Sequence, residues 1–117
     1  MSNGRFWRGL DRLVAASTVV VDRPRGTAHP RYPNFIYPLD YGYLKDTPAM
    51  DGGGVDVWIG SLLDRRVTGV ICTVDLGKRD VEIKILLGCT AEEAQVILKA
   101  HGQGSQAGML IRRPEGM

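Results

Sequence analysis

The pattern of apolar and polar positions predicts one short helix near each end of the chain. Five apolar residues recur at helical spacing near the start: Phe6, Trp7, Leu10, Leu13 and Val14. They predict an amphipathic helix over residues 4–16 with Asn3 as its N-cap. We expect its apolar face to pack on this domain, with docking on a partner as the alternative. Thr90 and Glu93 form a capping-box pattern that opens a second helix ending near His101, where an imidazolium would be favoured.

The segments between these helices have the composition of β-strands. Five of them are bounded by turn residues: Thr18–Val21, Val55–Ile59, Val67–Val74, Val81–Leu87 and Met109–Arg112. Three prolines exclude a helix between residues 29 and 38. Residues 102–108 are rich in glycine and glutamine, and we expect a flexible connector there. Short strands joined by tight turns favour a small antiparallel barrel over a parallel sheet.

Length and composition indicate one ordinary globular domain. The chain has 117 residues and a net charge of +2, which is too small to indicate nucleic-acid binding. No apolar run approaches the ~18 residues of a membrane span, and no secretory signal is visible. Cys72 and Cys89 lack metal-site spacing, so we expect free thiols in a reducing compartment, with one disulfide as the alternative. We therefore expect a single cytoplasmic domain over residues 1–117.

Two pairs of polar residues are candidates for metal and phosphate chemistry. Asp51 and Asp56 flank three glycines and a valine, so a tight loop can bring both carboxylates to one hard cation such as Mg²⁺. A solvated Asp-Gly turn is the alternative. Glu82 and Lys84 share one face of a strand and suit a metal and a phosphate, although an exposed strand pair has the same pattern. Three arginines that suit phosphate binding, or simply lie at the surface, complete the set: Arg23, Arg25 and Arg31.

Residues 18–88 carry several motif elements in a family-like order. They are Arg23-Pro24-Arg25-Gly26-Thr27, Tyr37-Pro38, Asp40-Tyr41-Gly42-Tyr43 and then Asp51 and Asp56. This series resembles the soluble (family I) inorganic pyrophosphatases. The resemblance implies an α+β, mainly β fold: a five-stranded antiparallel OB-like barrel with flanking N- and C-terminal helices. It also implies Mg²⁺-dependent hydrolysis of pyrophosphate by a metal-activated water, and the family commonly forms homo-oligomers.

The resemblance also implies roles for individual residues. The implied metal ligands are Asp22, Asp51, Asp56, Asp80 and Glu82, with Asp75 as the alternative to Asp80. The implied phosphate-binding residues are Arg31, Lys84, Tyr41 and Arg23, with Arg25 as the alternative to Arg23. Tyr41 and Asp56 are the implied catalytic residues. Gly53 departs from the family pattern, because the family has there an aspartate that helps to activate the attacking water.

These observations lead to one main hypothesis and one alternative. The main hypothesis is hydrolysis of pyrophosphate, or of a related small phosphate compound, weakened by the loss of an acid at Gly53. The alternative is a non-catalytic relative that binds phosphate, a nucleotide or a partner through the same cleft. We expect neither a nucleic-acid nor a membrane partner, and homo-oligomers remain open.

Overall fold

The chain folds into a six-stranded sheet with two helices. The structure, a computed structural model, describes residues 3–49 and 52–117. Its elements, in chain order, are α1 (Gly4–Ala15), β1 (Val19–Arg23), β2 (Asp40–Leu44), β3 (Val55–Ile59), β4 (Val67–Asp75), β5 (Asp80–Leu87), α2 (Ala91–Ala100) and β6 (Gln106–Arg112). The mainly β architecture with two helices is therefore confirmed. No helix in these ranges is both long and apolar enough to cross a membrane.

The strand order corrects part of the predicted fold. The order across the sheet is β1-β2-β3-β5-β4-β6. All pairs are antiparallel except β3 with β5, which run parallel. The predicted sheet had five antiparallel strands closed into a barrel, whereas the described strands form an open, mixed sheet of six. The barrel is not confirmed, because β1 and β6 remain the edges of this sheet.

The sixth strand is longer than its residue types suggest. The segment Gln106–Gly108, predicted to be a flexible connector, pairs with Thr73–Asp75 of β4. Gln, Ala and Gly have little intrinsic strand preference, so this pairing is imposed by the neighbouring strand. Likewise β2, for which the sequence pattern gave no bounds, pairs on both sides with β1 and β3.

Each face of the sheet packs against one helix. We call the two sides the α1 face and the α2 face. The buried core on the α1 face is formed by Trp7, Leu44, Val57, Ile59, Val67, Val70, Ile85 and Leu87. The core on the α2 face is formed by Tyr37, Leu39, Trp58, Ile71, Leu86, Cys89, Ala94 and Ile97. Because side chains alternate along a strand, Val57 and Trp58 belong to opposite cores.

Helix α1 packs on the sheet, as expected, although not with its whole apolar stripe. Trp7 is buried, while Phe6 and Leu13 are 47% and 36% exposed. Asn3 is the N-cap residue, as predicted, although its side chain makes no capping hydrogen bond. Arg113 binds both oxygens of Asp11 at 2.7 and 2.8 Å and fixes the helix to the end of β6.

Helix α2 begins with the predicted capping box. Glu93 donates its backbone N–H to the Thr90 hydroxyl, and the Glu93 carboxylate accepts the Thr90 N–H. The same carboxylate accepts the backbone N–H of Ser61, which ties the helix to the loop after β3. Burial would raise the pKa of Glu93, but the hydrogen bonds from Thr90 and Ser61 outweigh it and hold that pKa below its usual value. Cys72 and Cys89 are free thiols, as expected.

A glycine allows β1 and β2 to approach closely. A Cβ atom added at Gly42 would lie 1.8 Å from the backbone oxygen of Val20. Gly42 stands between Tyr41 and Tyr43, whose side chains both point to the α2 face. The motif Tyr-Gly-Tyr therefore places two tyrosines on one face while leaving room for the edge strand on the other.

Candidate functional site

Three strands direct polar side chains to one place on the α2 face. In the β2–β3 register Tyr41 is opposite Trp58, and in the β3–β5 register Trp58 is opposite Leu86. Asp56 lies two residues before Trp58 on β3, and Lys84 lies two residues before Leu86 on β5. Because side chains alternate along a strand, both point to this same face. Strand register thus assembles a site from residues far apart in sequence.

Lys84 is the centre of this site. Its Nζ atom lies 2.7 Å from the Tyr41 hydroxyl, 2.9 Å from Oδ2 of Asp56 and 2.8 Å from Oε2 of Glu82. The Lys84 side chain is only 7% exposed, whereas those of Asp56 and Glu82 are 26% and 32% exposed. An ammonium has three N–H donors, so the three acceptors use all of them. We call Lys84, Tyr41, Asp56 and Glu82 the Lys84 cluster.

Electrostatics keep the Lys84 cluster in a defined protonation state. Burial of the ammonium favours its neutral form, but attraction to Asp56 and the hydrogen bonds to Glu82 and Tyr41 outweigh it, so the pKa of Lys84 is raised. Burial is also the main reason why the pKa of Tyr41 is raised. Lys84 is therefore charged and Tyr41 is neutral at physiological pH.

An aromatic wall supports Tyr41. The Trp58 ring meets the Tyr41 ring at a centroid distance of 4.7 Å, and the Tyr37 ring lies 5.4 Å from Tyr41. The Trp58 Nε1–H donates to Nε2 of His101 at 3.0 Å. Nε2 must then be unprotonated, so Nδ1 carries the proton and donates to Oε1 of Gln106 at 2.8 Å.

This network corrects the expectation for His101. Its side chain is buried at the end of α2, and burial lowers the pKa of the imidazole. The expected imidazolium at the helix C-terminus is therefore wrong, because the cost of burying a charge exceeds the benefit of the helix dipole. Sequence alone missed Trp58 and His101 as supports of the site. The available signal was that Trp58 shares a strand face with Asp56.

An irregularity in β1 places two charged residues near the aromatic wall. The register shifts between Val21 and Arg23, so that Arg23 lies opposite Tyr41. The extra residue in this bulge is Asp22, whose Oδ2 lies 3.8 Å from Nη1 of Arg23. The pKa of Tyr37 is raised mainly by burial, and the nearby Arg23 guanidinium opposes that rise. Arg23 therefore reaches the Tyr37 side of the site.

The two candidates for a further metal aspartate differ in their hydrogen-bond partners. Asp75 Oδ1 accepts the backbone N–H groups of Gly77 and Lys78 and the hydroxyl of Ser105, so this carboxylate caps the β4–β5 turn. Asp80 is exposed at the start of β5 and shares its strand face with Glu82. Asp75 is thus held in the β4–β5 turn, whereas Asp80 lies two residues from Glu82 on the same strand face.

Two of the predicted phosphate-binding arginines lie outside the Lys84 cluster. Arg31 is exposed in the loop before β2, where its backbone N–H donates to Nδ1 of His29. Arg25 is also exposed, and its backbone N–H donates to Asp40. The contacts in the described ranges do not join either guanidinium to the cluster.

The donor set at Lys84 fits a hard divalent cation only in part. Asp51 lies outside the described residues, so its predicted place beside Asp56 is untested. No group of three or more His, Cys, Asp or Glu side chains within residues 3–49 and 52–117 could hold a metal ion. Asp56 and Glu82 nevertheless direct carboxylate oxygens at the same cation, the Lys84 ammonium. Mg²⁺ commonly uses one or two carboxylates together with water and phosphate oxygens, so these two residues supply part of a donor set for it.

Comparisons with known proteins agree with the sequence motif. No protein-family model matches the chain. Inorganic pyrophosphatases from Geobacillus stearothermophilus and from Bacillus sp. (strain PS3) are each 34% identical over 70 residues, which is 53% of this chain and 41% of each relative. The enzyme of that name from Halalkalibacterium halodurans is 32% identical over 56 residues, 41% of this chain and 34% of the relative. The chain thus spans less than half the length of these curated relatives.

A solved structure supports the fold. An inorganic pyrophosphatase from Coxiella burnetii superposes with a TM-score of 0.52 at 13% identity, covering 81% of this chain and 83% of that protein. At this identity the similarity establishes the fold only. The sequence matches, together with the shared fold, support the interpretation of the chain as a divergent pyrophosphatase-like protein.

Proposed function

We propose that this chain hydrolyses inorganic pyrophosphate, or a closely related small phosphate compound, in a Mg²⁺-dependent reaction at the Lys84 cluster. The observation that carries the proposal is the convergence of Asp56, Glu82 and Tyr41 on the Lys84 ammonium. Buried positive charge next to partly exposed carboxylates suits a phosphate with its counter-ion. The similarity to inorganic pyrophosphatases supports the same reaction.

Asp56 and Glu82 are the residues of the cluster that would hold Mg²⁺. Asp80, Asp22 and Asp51 are further ligands by resemblance. When bound, the cation would neutralise phosphate charge and lower the pKa of a coordinated water.

Lys84 and Tyr41 would bind and orient the substrate. A phosphoryl oxygen would take N–H donors that Lys84 now gives to Asp56 and Glu82, and the ammonium would offset charge developing on that oxygen. The raised pKa of Tyr41 keeps its hydroxyl protonated, so it can donate a hydrogen bond to a phosphate oxygen. Arg23 adds a guanidinium on the Tyr37 side, where it suits the second phosphate.

The proposal is tested by phosphate release from pyrophosphate, measured with purified protein with and without excess Mg²⁺. We expect metal-dependent turnover that Asp56→Asn lowers about 10²- to 10⁴-fold, because the variant loses a carboxylate from the site. Asp64→Asn is the matched control, since Asp64 is exposed in the loop between β3 and β4. Turnover that survives Asp56→Asn would place the chemistry elsewhere.

A second candidate function is a non-catalytic relative that binds phosphate or a nucleotide at the same site. Gly53 favours it, because the resembling family has an aspartate there that helps to activate water. Binding of phosphate with Mg²⁺ by calorimetry, without turnover, would support this candidate. Gly53→Asp should then create or raise turnover if the missing acid is what limits the reaction. Absence of both binding and turnover would contradict both candidates.

A further inference from the structure

A groove of about 930 Å³ lies between helix α1 and the part of the sheet that this helix leaves uncovered. Its floor consists of two rows of side chains that cross from β5 over β4 to β6 on the α1 face. Strand register places Ile83, Cys72 and Met109 in one row and Val81, Val74 and Ala107 in the other. The α1 side chains of Phe6, Leu10 and Leu13 form the wall.

The floor and wall of the groove are apolar but remain in contact with water. Val81, Ile83 and Met109 are 71%, 55% and 59% exposed, and Phe6 is 47% exposed. The volume of the groove falls within the range of about 300–1,000 Å³ that is usual for small-molecule sites. An apolar group bound here would remove this surface from water, which is favourable.

The groove reaches the Lys84 cluster where two strands separate. In the described part of the chain, β3 and β5 pair only where Val57–Ile59 meets Ile85–Leu87. Ahead of this pairing, residues 54–56 and 80–83 line the groove from its two sides. They include Asp56 and Glu82, whose carboxylates bind the Lys84 ammonium at 2.9 and 2.8 Å. Together with Asp80 these are the charged residues that line the groove, so its charge lies at the end next to the cluster.

This division into an apolar length and a charged end restricts the ligand. A wholly apolar molecule would fill the groove but leave the carboxylates and Lys84 unused. Inorganic pyrophosphate would use the charged groups but leave the apolar floor in water. A membrane surface would not enter a groove that has α1 as its wall. A molecule with phosphate groups at one end and an apolar chain at the other uses both parts.

We propose that the substrates of this site include the diphosphate ester of an apolar alcohol, with its diphosphate at the Lys84 cluster and its chain in the groove. The inference rests on the proposed function, because the same cluster would hold the phosphates. From β5 to β6 each row of the floor spans two strand spacings of about 4.8 Å, or about 10 Å, which is the length of a chain of about eight carbons.

Hydrolysis of such an ester is the phosphoanhydride reaction of the proposed function. The oxygen of water forms a bond to the terminal phosphorus, and the bond from that phosphorus to the bridging oxygen breaks. The leaving alkyl phosphate keeps the bridging oxygen and the electron pair of that bond. The products are an alkyl phosphate, hydrogen phosphate and one proton, which passes to solvent. No oxidant or second substrate is needed.

The first test compares phosphate release from inorganic pyrophosphate, ethyl diphosphate and n-octyl diphosphate with excess Mg²⁺. Full burial of a methylene group corresponds to about a four-fold gain, and we expect about two-fold in an open groove. The six additional methylenes should then raise kcat/KM for the octyl ester about 60-fold over that for the ethyl ester. Equal kcat/KM for the two esters, with turnover of pyrophosphate, would overturn this inference and leave the proposed function intact.

The second test measures binding without turnover. Calorimetry with n-octyl phosphate and ethyl phosphate in the presence of Mg²⁺ should give dissociation constants that differ about 60-fold for the same reason. n-Octylammonium carries the same chain with the opposite charge and should bind more weakly than n-octyl phosphate. If none of the diphosphates is hydrolysed, the proposed function fails, and these affinities alone decide whether the groove binds the chain.

A variant in the floor locates the chain. Met109→Gln keeps the side-chain length at the far end of one row but makes it polar, so the octyl-to-ethyl ratio of kcat/KM and of affinity should fall about five-fold. Leu63→Gln is the matched control, since Leu63 is fully exposed in the loop before β4 and should leave the ratio unchanged.

Three results would overturn the inference. The first is an equal affinity for n-octyl phosphate and ethyl phosphate. The second is binding of n-octylammonium as tight as that of n-octyl phosphate, which would indicate a cationic ligand at the acidic end. The third is an octyl-to-ethyl ratio that Met109→Gln and Leu63→Gln change equally, which would place the chain outside the groove.

Discussion

Replacing Lys84 by methionine removes the charge at the centre of the cluster while nearly preserving side-chain volume. The Lys84 side chain is 7% exposed, and its ammonium lies within 3 Å of oxygens from Asp56 and Glu82. Both oxygens are therefore within about 6 Å of each other, and the variant leaves two negative charges facing one another. The Tyr41 hydroxyl also loses the Lys84 N–H group from which it now accepts a hydrogen bond.

The magnitude follows from burial. Removing one partner of a buried ion pair costs about 3–5 kcal/mol. The side chains of Asp56 and Glu82 are 26% and 32% exposed, so water reaches their carboxylates. We therefore expect a loss at the low end of this range, about 3 kcal/mol, at about pH 7.5. Acidification should reduce this loss. In the variant the folded state takes up a proton more readily than the unfolded state, so the stability of the variant recovers as the pH falls.

Urea unfolding of wild type and Lys84→Met at about pH 7.5 and about pH 5 measures both effects as free energies of unfolding. Lys45→Met is the matched control, because Lys45 is exposed at the end of β2, and its loss should stay within about 0.5 kcal/mol. A loss in Lys84→Met below about 1 kcal/mol, or an equal loss at both pH values, would refute the reasoning.

Three further predictions concern the scaffold. Gly42→Ala should lower the free energy of unfolding by about 3 kcal/mol, because the added Cβ collides with β1. Gly9→Ala is the control: Gly9 lies in open space on helix α1, so this change should raise the free energy of unfolding by about 1 kcal/mol. Urea unfolding measures both. Thr90→Ala should cost about 1 kcal/mol by removing the side-chain cap of α2, and an unchanged midpoint would contradict that role. The pKa of His101 is lowered by burial, so stability should fall as the pH drops below about 6.5, by at most about 1.4 kcal/mol per unit for this one group. His101→Gln should flatten this slope between about pH 7 and pH 5, and an unchanged slope would contradict the buried neutral imidazole.

Parts of the site were predictable because they follow from the period of a strand. The alternation of side chains put Asp56 on the face of Trp58, and Glu82 on the face of Lys84, before any pairing was known. The alternation of side chains does not show which face of a strand is covered by the rest of the protein. The pair Glu82 and Lys84 was equally compatible with an exposed strand, and the burial of Lys84 depends on Tyr41 and Asp56 from two other strands.

The sequence by itself determined the local elements of this protein and its resemblance to pyrophosphatases. Three local features follow from residues that are close together in the chain: the capping box of α2, the bounds of β3 and the Tyr-Gly-Tyr motif. The conformational preferences of such residues act over one or two helical turns or a few strand residues. Only the tertiary structure decided the parallel pairing of β3 with β5, the extension of β6 back to Gln106 and the neutral state of His101. These three features depend on contacts between residues far apart in sequence, where burial and pairing outweigh local preference.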